Sequence, residues 1–205
     1  MILYFIHVPR TGGNSIRKWL ESSRKLFTSV HYDGHARYSF GGHKKLKEGG
    51  KVIAFTIMRD PVELSASHYA YIKASKPHRG WADAQKWSFS QWLINSPEYK
   101  NFQTRWFNNH EWSQFINPKP EDLKPPVELA VKTLEQFNYI FDTTTLTRDV
   151  NIMCKQEGIN CPFDIHVNKY KKPDISKADI DVIKKVCALD YELLAEAAPH
   201  IKIKY

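Results

Sequence analysis

The chain has few cysteines, and they form no pattern that builds a site. There are 3 in 205 residues, namely Cys154, Cys161 and Cys187, without a C-x-x-C pair. Zinc ribbons depend on such pairs, and disulfide frameworks of secreted domains use an even number of cysteines. Both classes are therefore disfavoured, while a single Cys154–Cys161 bridge stays open. The sequence also lacks a carboxylate cluster of the kind that holds a metal, and we expect no metal site.

The sequence also lacks a signal peptide, a long apolar span and a long basic tract. Its first apolar run covers residues 1–8, far short of the roughly 20 residues that cross a membrane. We therefore expect no membrane span and a cytoplasmic protein. The net charge of +8 suits an anionic ligand. The basic residues lie in short clusters such as 44–47 and 169–172, so no nucleic acid partner is expected.

Length and hydrophobic pattern indicate one α/β domain over 1–205. Apolar runs at 1–8 and 52–58 predict buried strands, each followed by a turn and a helical pattern. Further on, the pattern predicts a helix over 127–137 and a strand over 139–141, and then one long amphipathic helix over 176–197. Between the two halves, tryptophans interleaved with polar residues and prolines indicate a helical, aromatic-rich insert at about 76–126.

The segment after the first strand has the composition of an anion-binding turn. Residues 9–15 read Pro-Arg-Thr-Gly-Gly-Asn-Ser, and Ile16, Trp19 and Leu20 follow at helical spacing. Two glycines let the backbone approach a ligand, and the first N–H groups of a helix point toward it. The G-x-x-x-x-G-K-[ST] pattern of ordinary kinases and GTPases is not met, because no lysine precedes Ser15.

The segment after the second strand supplies a second cation. Arg59 follows residues 52–58 directly, at the carboxyl end of a predicted strand, where ligands bind in open parallel sheets. Asp60 and Pro61 predict a helix start, and Ser67 lies two turns into that helix. A phosphate bound by the fork of Arg59 is one interpretation, and a local ion pair with Asp60 is the other.

The two segments together resemble the nucleotide loops of sulfotransferases that use 3′-phosphoadenosine 5′-phosphosulfate (PAPS). The likeness is to the branch with the heparan and uronyl 2-O-sulfotransferases and small bacterial relatives. The first loop of that family, H-x-P-K-T-G-G-T-S, holds the 5′-phosphosulfate, and the second, R-D-P-x-E-R-x-x-S-x-Y, holds the 3′-phosphate. The resemblance implies cofactor-binding roles for Pro9, Arg10, Thr11, Gly12, Gly13, Asn14, Ser15, Arg59 and Ser67.

The resemblance extends along most of the chain, with departures. Residues 88–107 resemble a helix of the family followed by its N-x-Q-T-R segment, which implies acceptor contacts for Gln103 and Arg105. Residues 129–141 and 166–176 resemble later segments. Arg10 stands where the family has lysine, and Leu64 where it has arginine. The acidic residue that the family usually has after the strand near 140 is expected to be absent, because Thr143, Thr144 and Thr145 stand there.

Sulfuryl transfer needs a base for the acceptor hydroxyl, and histidine titrates in the right range. His35, in HYDGHARYSF, resembles the base-bearing segment of 2-O-sulfotransferases. His43, in GGHKKL, resembles the corresponding segment of bacterial relatives, and His31 ranks third. Arg10 is the candidate for stabilising charge on the leaving oxygen. The choice among the histidines stays open.

The expected protein is therefore a PAPS-dependent sulfotransferase with PAP as product. The expected acceptor is a carbohydrate hydroxyl, and an anionic glycan is one candidate. The expected architecture is a P-loop-like three-layer fold with a mainly parallel central sheet flanked by helices. Two alternatives stay open: a nucleotide kinase-like P-loop enzyme, and a non-catalytic module that binds nucleotides or nucleic acid. Net charge and six tryptophans are compatible with the last.

Overall fold

The computed structural model describes residues 1–23, 29–33, 51–108, 115–164 and 170–198, with the backbone alone for 29–33. The strands in this part of the chain are β1 (Ile2–Ile6), β2 (Ser29–Asp33), β3 (Val52–Met58) and β4 (Tyr139–Asp142). They pair in parallel in the order β2-β1-β3-β4. The predicted α/β class with a parallel sheet is confirmed, and β2 was not predicted.

Helices follow the strands along the chain. They are α1 (Gly13–Ser22), α2 (Pro61–Ala74), α3 (Trp81–Lys86), α4 (Phe89–Asn95), α5 (Phe102–Phe107), α6 (Val127–Leu134), α7 (Leu146–Gln156), α8 (Lys177–Val186) and α9 (Ala188–Ala197). Short 3₁₀ turns occupy Pro97–Tyr99 and Pro120–Leu123. None of the helices in the described ranges is long and apolar enough to span a membrane.

The register between β1 and β3 determines where the chain leaves the sheet. Ile6 pairs with Thr56, and the Thr56 hydroxyl donates to the Ile6 carbonyl at 2.9 Å. The segments that follow the two strands therefore leave the same edge side by side. Because β2 lies on one side of β1 and β3 on the other, the strand order reverses between them. Ligands of open parallel sheets bind at such a switch point.

The chain divides into two compact units. The first comprises Met1–Arg59, Val131–Asn168 and Glu196–Tyr205, and the second comprises Asp60–Ala130 and Lys169–Ala195. The predicted single domain with an insert at about 76–126 stays a prediction.

In the first unit, α1 and α7 pack against the sheet. Ile16, Trp19 and Leu20 of α1 are buried, as their spacing predicts, and they join alternate strand residues such as Leu3 and Phe5 in one core. Alternation is expected because successive strand side chains point to opposite faces. Burial of each large apolar side chain contributes about 1.5–3 kcal/mol. This core fixes α1, and with it the turn that precedes the helix.

In the second unit, the predicted long helix over 176–197 is wrong, because it breaks at Cys187 into α8 and α9. The Asn101 side chain accepts a hydrogen bond from the Leu189 N–H at 3.0 Å, in place of an intrahelical partner. The break also lets Asp190 turn inward, where it is fully buried. Apolar periodicity alone does not reveal a break made by side chains distant in sequence.

Candidate functional site

The segment after β1 begins with a tight turn. The Val8 carbonyl accepts from the Thr11 N–H at 3.3 Å and from the Thr11 hydroxyl at 2.7 Å. Pro9 stands at the second position of this turn, and Arg10 at the third has φ of 70°, as in a type II turn. A positive φ is uncommon for a non-glycine residue and marks functional loops. Thr11 thus closes the turn with its hydroxyl.

The turn leads into a helix whose first N–H groups have no side-chain cap. Gly12 is the N-cap of α1, with φ of 94° and ψ of 8°. It has no side chain that could cap the N–H groups of Gly13 and Asn14, while the Ser15 N–H donates to the Gly12 carbonyl at 2.9 Å. The first turn contains no acidic residue. The partial positive charge of this helix N-terminus favours an anion.

A side chain at position 12 would also meet a neighbour. An ideal Cβ on Gly12 would lie 3.1 Å from Cδ2 of Leu146, the first residue of α7. Both the left-handed backbone and this close approach favour glycine at the position. Beyond it, Asn14 is half-buried and Ser15 is buried. Residues 9–15 thus form one compact loop at the carboxyl end of β1.

Arg59 joins this loop from the neighbouring strand. Its Nη1 donates to the Arg10 carbonyl at 2.8 Å, with the side chain partly buried. The in-step register of β1 and β3 explains the contact, because Arg59 follows Met58 at the edge where the loop leaves β1. The structure therefore brings the Arg59 guanidinium to the backbone of the loop that contains Arg10. Arg10 and Arg59 give this edge of the sheet a positive charge.

The start of α2 belongs to the second unit, and its side chains have other tasks. The Asp60 carboxylate accepts from the N–H groups of Val62 and Glu63 at 2.9 and 3.1 Å, so the predicted N-cap is confirmed. Leu64, where the resembling family has arginine, is buried at 2% exposure. Ser67 is buried in the same helix, and its role toward a 3′-phosphate stays a prediction.

The expected lack of an acidic residue after the strand near 140 is wrong. β4 extends to Asp142, which pairs with Met58 in the sheet. The Asp142 carboxylate accepts from the Thr144 N–H at 2.7 Å and from the Thr144 hydroxyl. Thr144 therefore hydrogen-bonds this carboxylate rather than replacing it. The sequence signal was there, since Asp142 directly follows the apolar triplet of the predicted strand.

Gln103 and Arg105, the candidate acceptor contacts, lie in the interior of the second unit. Both are 0% exposed. Arg105 donates to the carbonyls of Glu98 and Phe115 at 3.2 and 2.9 Å and stacks on the Phe115 ring. Burial lowers the pKa of Arg105 to about 10, so the guanidinium stays charged at neutral pH. Their contact with an acceptor stays a prediction.

The Gln103 backbone takes part in an unusual helix cap. Its N–H donates to the Asp190 carboxylate at 3.3 Å, and the Thr104 N–H and hydroxyl donate to the same group at 2.8 Å each. Asp190 thus caps α5 although it lies more than 80 residues away in sequence. Burial raises the pKa of Asp190 to about 6, and the hydrogen bonds from residues 102–104 oppose that rise.

The three candidate bases are His35, His43 and His31. His35 and His43 lie outside the described residues, and His31 lies in β2, of which only the backbone is described. The choice among them stays a prediction. The described ranges contain no cluster of three or more histidine, cysteine, aspartate or glutamate side chains suited to a metal.

No protein-family model matches the chain, and no curated protein matches it significantly. The loop, Arg59 and the sequence resemblance are therefore the features that bear on function.

Proposed function

We propose that this chain is a PAPS-dependent sulfotransferase that acts on a carbohydrate hydroxyl. One observation carries the proposal: Arg59 Nη1 lies 2.8 Å from the Arg10 carbonyl. That hydrogen bond links the two segments that resemble the nucleotide loops of sulfotransferases. A likeness in two separated segments gains weight when the segments meet at the switch point of a parallel sheet. The same proposal includes the P-loop-like character of the fold.

The loop residues fit the 5′ end of such a donor. Gly12 leaves the first N–H groups of α1 without a side-chain cap, and these N–H groups suit phosphate or sulfate oxygens. Arg10 adds a fixed cation, and its guanidinium forms paired hydrogen bonds to tetrahedral oxyanions. Arg59 and Ser67 are the proposed ligands of the 3′-phosphate.

When bound, PAPS supplies an activated sulfuryl group. The acceptor oxygen forms a bond to sulfur while the bond from sulfur to the bridging oxygen breaks, and that oxygen leaves on PAP. Arg10 and the α1 N–H groups stabilise the negative charge that gathers there. His35 or His43 takes the proton from the acceptor hydroxyl. Donors of this kind, fixed before the reaction, typically contribute about 3–4 kcal/mol each in other enzymes.

Ligand-induced shifts in melting temperature test the proposal. The arms are PAP, adenosine 5′-monophosphate, ATP, GTP and a short oligonucleotide. PAP at 100 times its Kd should add about 2.7 kcal/mol to the free energy of unfolding. Adenosine 5′-monophosphate at the same concentration should add much less, because it lacks the 3′-phosphate. Equal shifts for the two nucleotides, or a larger shift with ATP, GTP or the oligonucleotide, would contradict the assignment.

The base is identified by a paired substitution. If His35 is the base, His35→Ala lowers sulfuryl transfer by roughly 10²–10⁴-fold while PAP affinity is unchanged. His43→Ala serves as the matched control and stays near the wild-type rate. The reverse ranking assigns the role to His43. Near-wild-type rates in both variants would exclude histidine at these positions as the base.

A further inference from the structure

His7 packs against Gly13, the first residue of α1. Its side chain is 8% exposed. An ideal Cβ built on Gly13 would lie 2.1 Å from His7 Nε2, 2.2 Å from Cδ2 and 2.5 Å from Cε1. The imidazole edge therefore occupies the space that a side chain at position 13 would need. A contact below 3.0 Å forces one group to move.

The two glycines of the loop are there for different reasons. Gly12 has φ of 94°, a left-handed backbone that favours glycine. Gly13 has no such φ, so conformation alone would allow an alanine there. The His7 ring is what excludes one. Position 13 is thus a steric partner of His7, and the pair is complementary in shape.

The His7 ring is itself anchored to the sheet. Its centroid lies 5.8 Å from that of Phe5, tilted by 33°. Phe5 stacks on Phe55 at 5.0 Å, and both phenylalanines are 0% exposed. Buried aromatic side chains in a packed core keep one position. A rigid path therefore runs from the β1–β3 core through His7 to Gly13.

The His7 ring lies toward the end of α1 at which the proposed ligand would bind. Every Cα–Cβ bond of a helix tilts toward its N-terminus, so the space beside Gly13 that His7 fills lies toward the open end of α1. The first N–H groups of α1 surround that end. A shift of the Gly13 backbone by a few tenths of an ångström would redirect them away from a bound oxyanion.

We propose that His7 is a positioning residue: by seating against Gly13 it aims the first N–H groups of α1 at the 5′ anion of the ligand. The inference rests on the proposed function only in that the ligand carries a 5′-phosphate group. His7 acts through Gly13 and the backbone, and it is distinct from the base sought at His35 or His43.

A double-mutant cycle tests the pair. His7→Ala, Gly13→Ala and the double variant are compared with wild type for PAP affinity by titration calorimetry. Each single change should weaken binding, Gly13→Ala by roughly 10-fold or more, since contacting residues couple strongly. The double variant should bind PAP roughly 10-fold more tightly than the product of the two losses predicts, because the new methyl group fills the vacated space. Folding of the double variant where Gly13→Ala alone does not fold would show the same coupling.

A second measurement separates positioning from simple destabilisation. His7→Ala should weaken PAP and adenosine 5′-monophosphate by the same factor and leave adenosine 3′-monophosphate unchanged, because only the first two place a phosphate at α1. Gly158→Ala is the matched control. Gly158 has φ of 69° with open space around it, so this change strains the backbone and should leave all three affinities unchanged.

The outcomes distinguish this inference from the proposed function. Additive losses in the cycle, or equal weakening of all three ligands by His7→Ala, would overturn the role of His7. If wild type prefers ATP to PAP but His7→Ala still weakens 5′-phosphate ligands alone, His7 keeps its role and the sulfotransferase assignment fails. If wild type binds no 5′-phosphate ligand, both are overturned.

Discussion

The starts of α1 and α2 follow two parallel strands of the same sheet, yet they are built in opposite ways. α2 begins at Asp60, whose carboxylate accepts from two N–H groups of its own first turn. α1 begins at Gly12, which has no side chain to do so, and no side-chain cap is formed. A self-capped start has satisfied its N–H groups and its dipole with its own charge. The start of α1 has neither a side-chain acceptor at its N-cap nor an acidic residue in its first turn.

The start of α5 shows a third arrangement. Asp190 reaches it from a distant part of the chain and accepts from the backbone of Gln103 and Thr104. A described helix start in this protein is thus capped by its own residue, capped by a buried residue far away in sequence, or without a side-chain cap. Capping a helix normally contributes about 1 kcal/mol. Without a side-chain cap at Gly12, α1 forgoes that stability.

The largest expected effect comes from closing the open start with a charge. Gly12→Asp should place a carboxylate where the ligand's anion binds, and like charges at close range cost several kcal/mol. PAP affinity should fall by more than about 100-fold. Gly12→Asn is the matched control, because asparagine has nearly the same size and tolerates a positive φ. Both variants meet Leu146 in the same way.

The difference between the Gly12 variants measures the charge alone. Calorimetric affinities of the two should differ by at least 30-fold, about 2 kcal/mol. Similar affinities would show that the α1 start does not face the anion.

The buried Asp190 that caps α5 should make the free energy of unfolding depend on pH. Burial raises the folded-state pKa of Asp190 to about 6, above its ordinary 3.8. The folded protein therefore holds this proton more tightly than the unfolded chain, so its contribution to the free energy of unfolding is greatest at low pH. That contribution falls between about pH 4 and pH 6 and is constant above. A pKa difference of one corresponds to about 1.4 kcal/mol, so the fall is up to about 3 kcal/mol.

Urea unfolding of wild type and Asp190→Asn between pH 4 and pH 7 measures this fall. The stability of wild type relative to the variant should decline as pH rises to about 6. Asp181→Asn, at an exposed position of α8, is the surface control for removing a carboxylate. A difference for Asp190→Asn that does not change with pH would contradict the raised pKa of Asp190.

The sequence predicted well where local patterns decide the structure. Residues 52–58 form a strand with the predicted bounds, and Asp60 is the predicted cap. Ile16, Trp19 and Leu20 face the core as their spacing indicates. In these segments periodicity and capping chemistry act within a few residues. The loop with Arg10, and Arg59 after the neighbouring strand, could be predicted for the same reason.

Sequence patterns did not predict the features that depend on contacts between residues distant in sequence. The helix break at Cys187 depends on Asn101, and the packing around Gly13 depends on His7. The hydrogen bond from Arg59 to Arg10 depends on a strand register that no local pattern contains. α7 was missed although Leu146, its first residue, borders Gly12. Elements of the candidate site were thus visible in sequence, and their contacts were not.

Arg59 should show an effect on binding and a smaller one on folding. Arg59→Ala removes a charge-assisted contact to the ligand, which costs about 1.5–3 kcal/mol of PAP affinity. It also removes the hydrogen bond to the Arg10 carbonyl, so the ligand-free protein should lose about 1 kcal/mol of stability. Calorimetry and urea unfolding measure the two separately. Arg59→Lys keeps the charge without the fork and should retain part of the affinity.

A matched control removes the same charge from the surface. Arg17→Ala, on the exposed face of α1, should change neither PAP affinity nor stability by more than a few tenths of a kcal/mol. If Arg59→Ala lost stability while PAP affinity stayed unchanged, Arg59 would stabilise the loop and would not bind the ligand.

The smallest effect is expected at the self-capped start, and it should be on stability alone. Asp60→Ala removes the acceptor for the Val62 and Glu63 N–H groups, which costs about 1 kcal/mol and lowers Tm by about 2–4 °C. Asp60→Asn retains a capping oxygen and should stay within a few tenths of a kcal/mol of wild type. PAP affinity should be unchanged in both variants, because this helix start has its own acceptor. If Asp60→Ala instead tightened PAP binding by 10-fold or more, the ligand would reach the start of α2, and the contrast between an open and a closed helix start would fail.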